Sequence, residues 1–388
     1  MKISFEPNKE LKKYKKQFMM AGICVGLLLI ALILRMISGS IIGKLPDELM
    51  ADRWSKERRM AQVSLFVTED RAVDENEMKR FEYQLKKKLT DEGVSDDEDD
   101  DISNLYTICY SAQGTIDISF ENRTAENVAA IGVGGDFFLF HPFTLISGSY
   151  FFADDLMKDH IVIDEDMAWQ LFGSSDIIGQ CVTIGGVPHY ISGVVKREDG
   201  RMQKAAGLDK SYIYLSYDSL SKYGTILSGR TVDGPGSEDG TTQEAGGINC
   251  IQVVCPNPVD GSAALICREC LGLDDNSVSV IDNTDRFSFT ALLKVLRQTG
   301  TRSMWGKAIY YPYWENIARG WEDSLAALLL GRMICIIAVA IIAAVNTVNA
   351  YRNKKWTVRG VARYIADKKY DFEAERQKKK LDEGEETL

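Results

Sequence analysis

Four cysteines stand close enough together to do chemistry: Cys250, Cys255, Cys267 and Cys270, spaced C-x4-C-x11-C-x2-C. Superficially this is a zinc-ribbon spacing, with four thiolates offered to one tetrahedral ion. Cys267 and Cys270 also form a C-x-x-C pair, but no thioredoxin-type context surrounds them. The elements that carry these thiols decide whether they can meet. "INCIQVVC" (248–255) alternates as a strand, so the odd spacing of Cys250 and Cys255 turns them to opposite faces of a sheet. Two thiols on opposite faces do not converge easily on one metal. A disulfide among the four, or buried free thiols, stay open as alternatives. Cys109 and Cys181 lie elsewhere in the same region, and Cys24 and Cys335 fall in apolar runs near the two ends.

The remaining chemistry-bearing residues are dispersed. His141, His160 and His189 each sit beside apolar neighbours and read as structural histidines. The acidic run "DEGVSDDEDDD" (91–101) lacks the ligand and glycine pattern of an EF-hand and reads as a hydrated loop. No G-x-S-x-G elbow occurs, and no carboxylate spacing singles out an acid/base pair. The glycine-rich stretch "AWQLFGSSDIIGQCVTIGGVPHYISGVV" (168–195) matches neither a P-loop nor a dinucleotide fingerprint, so its glycines read as a helix stop and turns. The sequence therefore points to no catalytic residue, no cofactor-binding residue and no metal ligand set, and not to an enzyme. A net charge of -10 speaks against a nucleic-acid partner.

Two apolar runs frame the chain. "FMMAGICVGLLLIALIL" (18–34) carries no charge and extends through Ile42 if Arg35 snorkels. "LAALLLGRMICIIAVAIIAAVNTV" (325–348) is interrupted only by Arg332. Buried core helices are the alternative for both. A cleaved signal peptide is a further alternative for the first, although it lacks an A-x-A-like site. Lys9, Lys12, Lys13, Lys15 and Lys16 precede the first run, and Arg352, Lys354, Lys355, Arg359 and Arg363 follow the second. Positive flanks stay inside, so both termini are expected in the cytoplasm and 45–320 outside it. Charge agrees: 45–320 holds 26 Lys/Arg against 44 Asp/Glu, whereas the two ends hold 20 against 12. The basic segments can also touch headgroups or cytoplasmic partners. "YYPYWENIARGW" (310–321) reads as an interfacial aromatic belt before the second span, with a ligand-binding aromatic patch as the alternative.

Between the anchors the pattern is α+β. "MADRWSKERRM" (50–60) reads as a short helix leaving the membrane. A strand over 61–68 is followed by a helix over 74–89 with Met78, Phe81, Leu85 and Leu89 on one face and Asp74 as N-cap. "SNLYTICYSA" and "TIDISFEN", joined at Gln113-Gly114, read as a hairpin. The same rhythm returns as a strand over 248–255, a helix over 260–273, a strand over 277–282 and a helix over 287–298. Two separated βαβ units of this kind can close into one split sandwich. The residues between them, about 125–225, read as an inserted β-rich part, with a strand over 161–163, a short helix ending at Gly173 and two strands about Gly185-Gly186. The Gly/Ser/acid-rich run 228–247 reads as a mobile loop.

The ordered landmarks Gly148 with Phe151 and Phe152, Ile161-Val162-Ile163, Ala168, Leu171-Phe172-Gly173, Asp176 to Gly179, Ile184 and Ser192-Gly193-Val194 carry a resemblance. The stretch resembles the extracytoplasmic core domain of MacB-type, FtsX-like ABC transporter permeases, and the layout extends the resemblance over roughly residues 15–350. It implies a split α/β part at about 60–122 and 248–300, and an energy-coupled membrane machine partnered by a cytoplasmic ABC ATPase. Family permeases carry four membrane helices, three of them after the outer domain, and one is found at that place here. The resemblance therefore implies an accessory or reduced permease working beside a full permease subunit in the lipid bilayer. The expected organisation is a basic segment 1–17, a span 18–42, an outer domain 45–320, a span 325–348 and a tail 351–388. A membrane-tethered binding or sensing module without an ATPase is the alternative function.

Overall fold

The computed structural model describes residues 7–55, 58–68, 71, 73–91, 105–152, 155–227, 246–274, 276–299, 309, 311–352, 365–370 and 372–373. The chain divides into two compact units, one of Met36–Leu329 and one of Met1–Arg35 with Leu330–Leu388.

The second of these holds the apolar stretches of two long helices, α1 (Pro7–Ile42) and the helix Tyr313–Arg352. Both are long and apolar enough to cross a membrane, and only 6% of each apolar window is buried. Leucines, isoleucines and valines on the outside of a helix fit lipid and not a protein core, which favours spanning over the core-helix alternative. The helices touch where side chains are small: Ala31 is buried, and a Cβ on Gly331 would lie 3.4 Å from Leu34 Cδ1. Each helix starts earlier than its hydropathy indicates. The 40 residues of Tyr313–Arg352 extend about 60 Å, twice the thickness of a bilayer core, and 313–329 belong to the other unit.

That other unit contains, in order, α2 (Met50–Trp54), β1 (Met60–Val67), α3 (Glu75–Asp91), β2 (Thr107–Phe120), β3 (Arg123–Gly135), α4 (Phe137–Phe140), β4 (Leu145–Gly148), β5 (His160–Asp164) and α5 (Glu165–Phe172). It continues with β6 (Cys181–Ile184), β7 (Val187–Val195), α6 (Arg201–Ala205), β8 (Tyr212–Ser216), α7 (Tyr217–Tyr223) and β9 (Thr225–Ile226). β10 (Cys250–Pro256), α8 (Ser262–Leu271), β11 (Val278–Asp282), α9 (Phe289–Arg297) and the start of α10 (Tyr313–Arg352) complete it. The strands form one mixed sheet ordered β11-β1-β10-β2-β3-β8-β5-β7-β4, with β6 and β9 off that path.

The two separated βαβ units interlock as the sequence pattern suggests. β10 runs antiparallel between β1 and β2, and β1 runs antiparallel between β11 and β10, so each unit receives a strand of the other. Every residue of β1 is buried because both sheet faces are covered. Ala61, Val63, Leu65 and Val67 point to one face with Ile251, Val253 and Cys255, and pack under α3 (Met78, Phe81, Leu85, Leu89) and α8. The other face carries Met60, Phe66, Cys250 and Val254 against Tyr313, Trp314 and Ile317 of α10. α3 begins in a capping box: Asp74 Oδ1 accepts from Glu77 N at 2.7 Å, and Glu77 Oε2 accepts from Asp74 N at 3.3 Å. Asp74→Ala is expected to cost about 1 kcal/mol in thermal unfolding of the full chain.

One expectation is corrected here. Gln113-Gly114 is not a turn; β2 passes straight through it, and the chain reverses instead at Glu121 and Asn122. Gly114 is a glycine because β9 passes close by: a Cβ there would lie 2.3 Å from the Thr225 carbonyl oxygen. Gly185 and Gly186 do form a turn. Both have positive φ, +58° and +81°, and they join Ile184 to Val187 in the two-residue hairpin β6–β7. Gly148 combines φ of +77° with an approach that would set a Cβ 2.1 Å from the Ser192 carbonyl oxygen. Gly148→Ala is therefore expected to lower stability by roughly 2–3 kcal/mol, measured as a fall in melting temperature.

Candidate functional site

The first turns of α10 carry an apolar stripe, with Trp314, Ile317, Ala318, Leu325, Ala326 and Leu329 buried. Glu315 and Glu322, seven residues apart, lie on that same stripe and are 1% and 6% exposed. A carboxylate on a buried face demands a counter-charge. It is supplied by Arg286, 6% exposed, in the turn that follows β11. Arg286 Nη1 and Nη2 donate to the two oxygens of Glu315 at 2.6 and 2.8 Å, a bidentate pair, while Nε donates to Glu322. Arg319 Nε donates to Glu315 at 2.6 Å, and its guanidinium lies 3.7 Å over the Tyr311 ring.

A third carboxylate reaches the same guanidinium from the far end of the sequence. Glu48, 4% exposed, closes the 3-10 turn Pro46–Glu48 that follows α1, and its Oε2 lies 3.2 Å from Arg286 Nη1. That oxygen has no hydrogen-bond partner, so the approach is charge attraction without alignment. Burial pushes the Glu48 carboxyl up to about 7; Arg286 opposes this, and Glu315 and Asp47 add to it. Burial also disfavours the charged Arg286, but Glu315 and Glu48 outweigh it and raise its pKa.

A chain of polar groups continues from the cluster across the sheet. Asn283 Nδ2 donates to Ser64 Oγ at 2.9 Å, and Gln252 Nε2 donates to the same oxygen at 3.3 Å. Gln252 Oε1 lies 2.6 Å from His141 Nε2, and Asp47 Oδ1 lies 3.0 Å from His141 Nδ1. Gln62 Nε2 donates to the Asp47 carbonyl at 2.6 Å, and Gln62 Oε1 accepts from Met50 N at 2.8 Å. One buried network thus ties the segment after α1, strands β1 and β10, the end of β11 and the start of α10. Most of its groups are buried and bonded to one another, and one oxygen of Glu48 is buried without an aligned hydrogen bond. The arrangement fixes the start of α10 and the exit of α1 to one face of the sheet.

The cysteines are placed as the strand parity requires. Cys250 packs with Cys109 and Phe66 on the α10 side, and Cys255 packs with Cys267 and Cys270 under α3 and α8, so the four do not converge. All eight cysteines carry free thiols, and Cys181 alone is exposed. The histidines stay apart. His141 belongs to the network above, and His189 is buried against Ser219 Oγ at 3.4 Å, where burial lowers its pKa. His160 is half-exposed near Asp155. A groove of about 620 Å³ runs along Thr124, Ala125 and Glu126 to Lys210 and Tyr212; neither histidine nor cysteine lines it.

The aromatic belt is corrected: Tyr311, Tyr313 and Trp314 are buried in the domain core and do not face headgroups. Tyr310, residues 92–101, 228–245, and the basic residues Lys354, Lys355, Arg359 and Arg363 lie outside the described residues. Sequence reading missed Glu48, Gln62, Gln252, Arg286, Glu315 and Glu322. The available signal was the acidic pair on the apolar stripe of α10.

A mixed-sheet α+β domain bracketed by two apolar helices, with its charge cluster at the helix junctions, defines a membrane-anchored domain. Residues 18–263 match the family described as the MacB-like periplasmic core domain, and the chain belongs to it. Glu48 lies inside the matched stretch, and Arg286, Glu315 and Glu322 lie beyond it. Among curated relatives, the macrolide export ATP-binding/permease protein MacB of Chromobacterium violaceum is 35% identical over 75 residues, 19% of this chain and 12% of that protein. The protein of the same name from Agrobacterium fabrum is 32% identical over 113 residues, 28% of this chain and 17% of that protein. The similarity thus spans less than a fifth of either relative. The periplasmic region of MacB from Actinobacillus actinomycetemcomitans aligns over 65% of this chain and 97% of its own, at 13% identity and a TM-score of 0.38. The extracellular domain of the noncanonic ABC-type transporter YknZ from Gram-positive bacteria aligns over 57% and 99%, at 16% identity and a TM-score of 0.34.

Proposed function

We propose that this chain is a membrane subunit of a MacB/FtsX-like ABC transport or mechanotransmission complex, acting as an accessory or reduced permease beside an ABC ATPase and a full permease subunit. Both termini are cytoplasmic and residues 45–320 are extracytoplasmic, between spans at 18–42 and 325–348. The observation that carries this reading is the family match over 18–263 in a chain whose two apolar helices bracket the domain. The names of the curated relatives, ATP-binding/permease proteins, support an ATP-driven partner. The buried network supports a mechanical role: a helix held to the sheet by bidentate charge pairs carries displacement into the domain better than one joined by a solvated linker.

The test is affinity purification of the tagged full chain from native membranes. Recovery of an ABC ATPase and a four-helix permease is the expected result. Recovery of neither would favour a membrane-tethered binding or sensing module.

A further inference from the structure

Two charged residues lie inside the apolar runs, Arg35 in the first and Arg332 in the second, and neither 18–42 nor 325–348 contains an acidic residue. Neither guanidinium has an ion pair or hydrogen bond among the described residues. An arginine at that depth requires an anion from elsewhere. Both lie at the same depth. The first run offers 17 uncharged residues from Phe18 to Leu34, and the second 16 from Met333 to Val348, roughly 25 Å of helix in each case. The long side chain covers the remainder, so both guanidinium groups reach the edge of a bilayer core of about 30 Å. Large apolar side chains of α10 become exposed only from Leu330 onward, two residues before Arg332, which sets the lipid boundary at the same level.

The two arginines also leave the helix pair on one side. A Cβ on Gly331 would lie 3.4 Å from Leu34 Cδ1, which sets residues 34 and 331 at one level in the seam. Leu27, Ala31 and Leu34 recur at helical spacing as covered positions, as do Gly331, Cys335 and Ala338, so the seam continues along both spans. α1 runs into the Met36–Leu329 unit and α10 runs out of it, so the spans are antiparallel. Arg35 and Arg332 each follow the contact residue by one position, a turn of about 100°. In antiparallel helices those turns mirror each other, and both side chains emerge on the same flank of the seam. Arg35 is exposed there and Arg332 half-buried. We propose that the two form one binding site for the phosphate of an anionic phospholipid. Guanidinium forks match phosphate oxygens, and two cations with no acidic residue in either run favour a lipid of net negative charge over a zwitterionic one. The site requires both helices to span a bilayer, and its place in the outer leaflet rests on the proposed topology; neither an ATPase nor a permease is needed for it.

Photo-crosslinking of the full chain in phosphatidylcholine nanodiscs tests the site, with a headgroup-photoreactive phosphatidylglycerol at low mole fraction as the probe. The wild-type chain is expected to crosslink within residues 32–38 and 329–335. Arg35→Gln or Arg332→Gln alone is expected to lower that yield about tenfold, and the double substitution to lower it no further, because one phosphate uses both groups. Crosslinks to the basic segment 7–17 serve as the internal standard and should not change. Losses that add between the two substitutions mean two independent arginines and overturn the site. If a variant does not insert, the wild-type chain decides: labelling confined to 7–17, or equal labelling by a photoreactive phosphatidylcholine, overturns it. Unchanged lipid crosslinking in the variants, with loss of another membrane protein from their native-membrane purification, assigns the counter-ion to a carboxylate on a partner helix and also overturns it. Recovery of an ATPase and a permease with the wild-type chain is scored separately, so failure of the transporter reading leaves the lipid result unchanged.

Discussion

Arg286→Ala is expected to destabilise the outer domain by about 3–5 kcal/mol, because it removes the guanidinium that Glu48, Glu315 and Glu322 share in a buried site. In a domain of this size that corresponds to a fall in melting temperature on the order of 10 °C. The deficit should shrink at acidic pH, where protonation of the orphaned glutamates replaces the missing cation. Arg286→Lys should recover only part of the loss, since one ammonium cannot reproduce the fork that holds both oxygens of Glu315 and one of Glu322. Thermal unfolding of the full chain in nanodiscs at pH 6 and pH 8 measures all of this. A loss below ~1 kcal/mol at pH 8 would show that the cluster does not hold α10.

Trp314→Ala is expected to cost a similar 3–5 kcal/mol by a different route. Trp314 is 2% exposed and packs its ring centroid 4.3 Å from His141, 5.0 Å from Tyr313 and 5.7 Å from Phe137. Truncation would open a cavity at the seam between α10 and the sheet. Its indole nitrogen has no hydrogen-bond partner among the described residues, so Trp314→Phe forfeits volume but no bond and should cost less than half as much. Equal losses for the two variants in the same unfolding assay would contradict this packing account.

These expectations concern residues that were hidden in the sequence, and the reason is physical. α3 was legible because its signals are local: Met78, Phe81, Leu85 and Leu89 recur at helical spacing, and Asp74 with Glu77 forms its cap. The interlocked strands were legible because β1 and β10 each read as a short β-rich run beside an amphipathic helix. β2 was misread because Gly114 looks like punctuation, whereas it answers a close approach from β9, more than a hundred residues later in the chain. The start of α10 was misread because Glu315, Arg319 and Glu322 lower its hydropathy, although they lie on or beside its buried stripe. The cluster joins positions 48, 286, 315 and 322 through tertiary packing, and only Glu315 and Glu322 share one element. Gln62 and Gln252 lie within runs that read only as strands, and a strand pattern does not tell whether its polar positions are exposed. Both sheet faces are in fact covered, and each glutamine is a joint in the network.

The central claim is that the domain between the two spans lies outside the cytoplasm, and the chain carries its own probe for it. Cys181 is exposed, while the other seven cysteines are buried or partly buried. A membrane-impermeant maleimide applied to intact cells, with any outer membrane permeabilised, should label the wild-type chain at that thiol and should fail on Cys181→Ser. Labelling that appears only after the inner membrane is broken would place the domain in the cytoplasm and contradict the account.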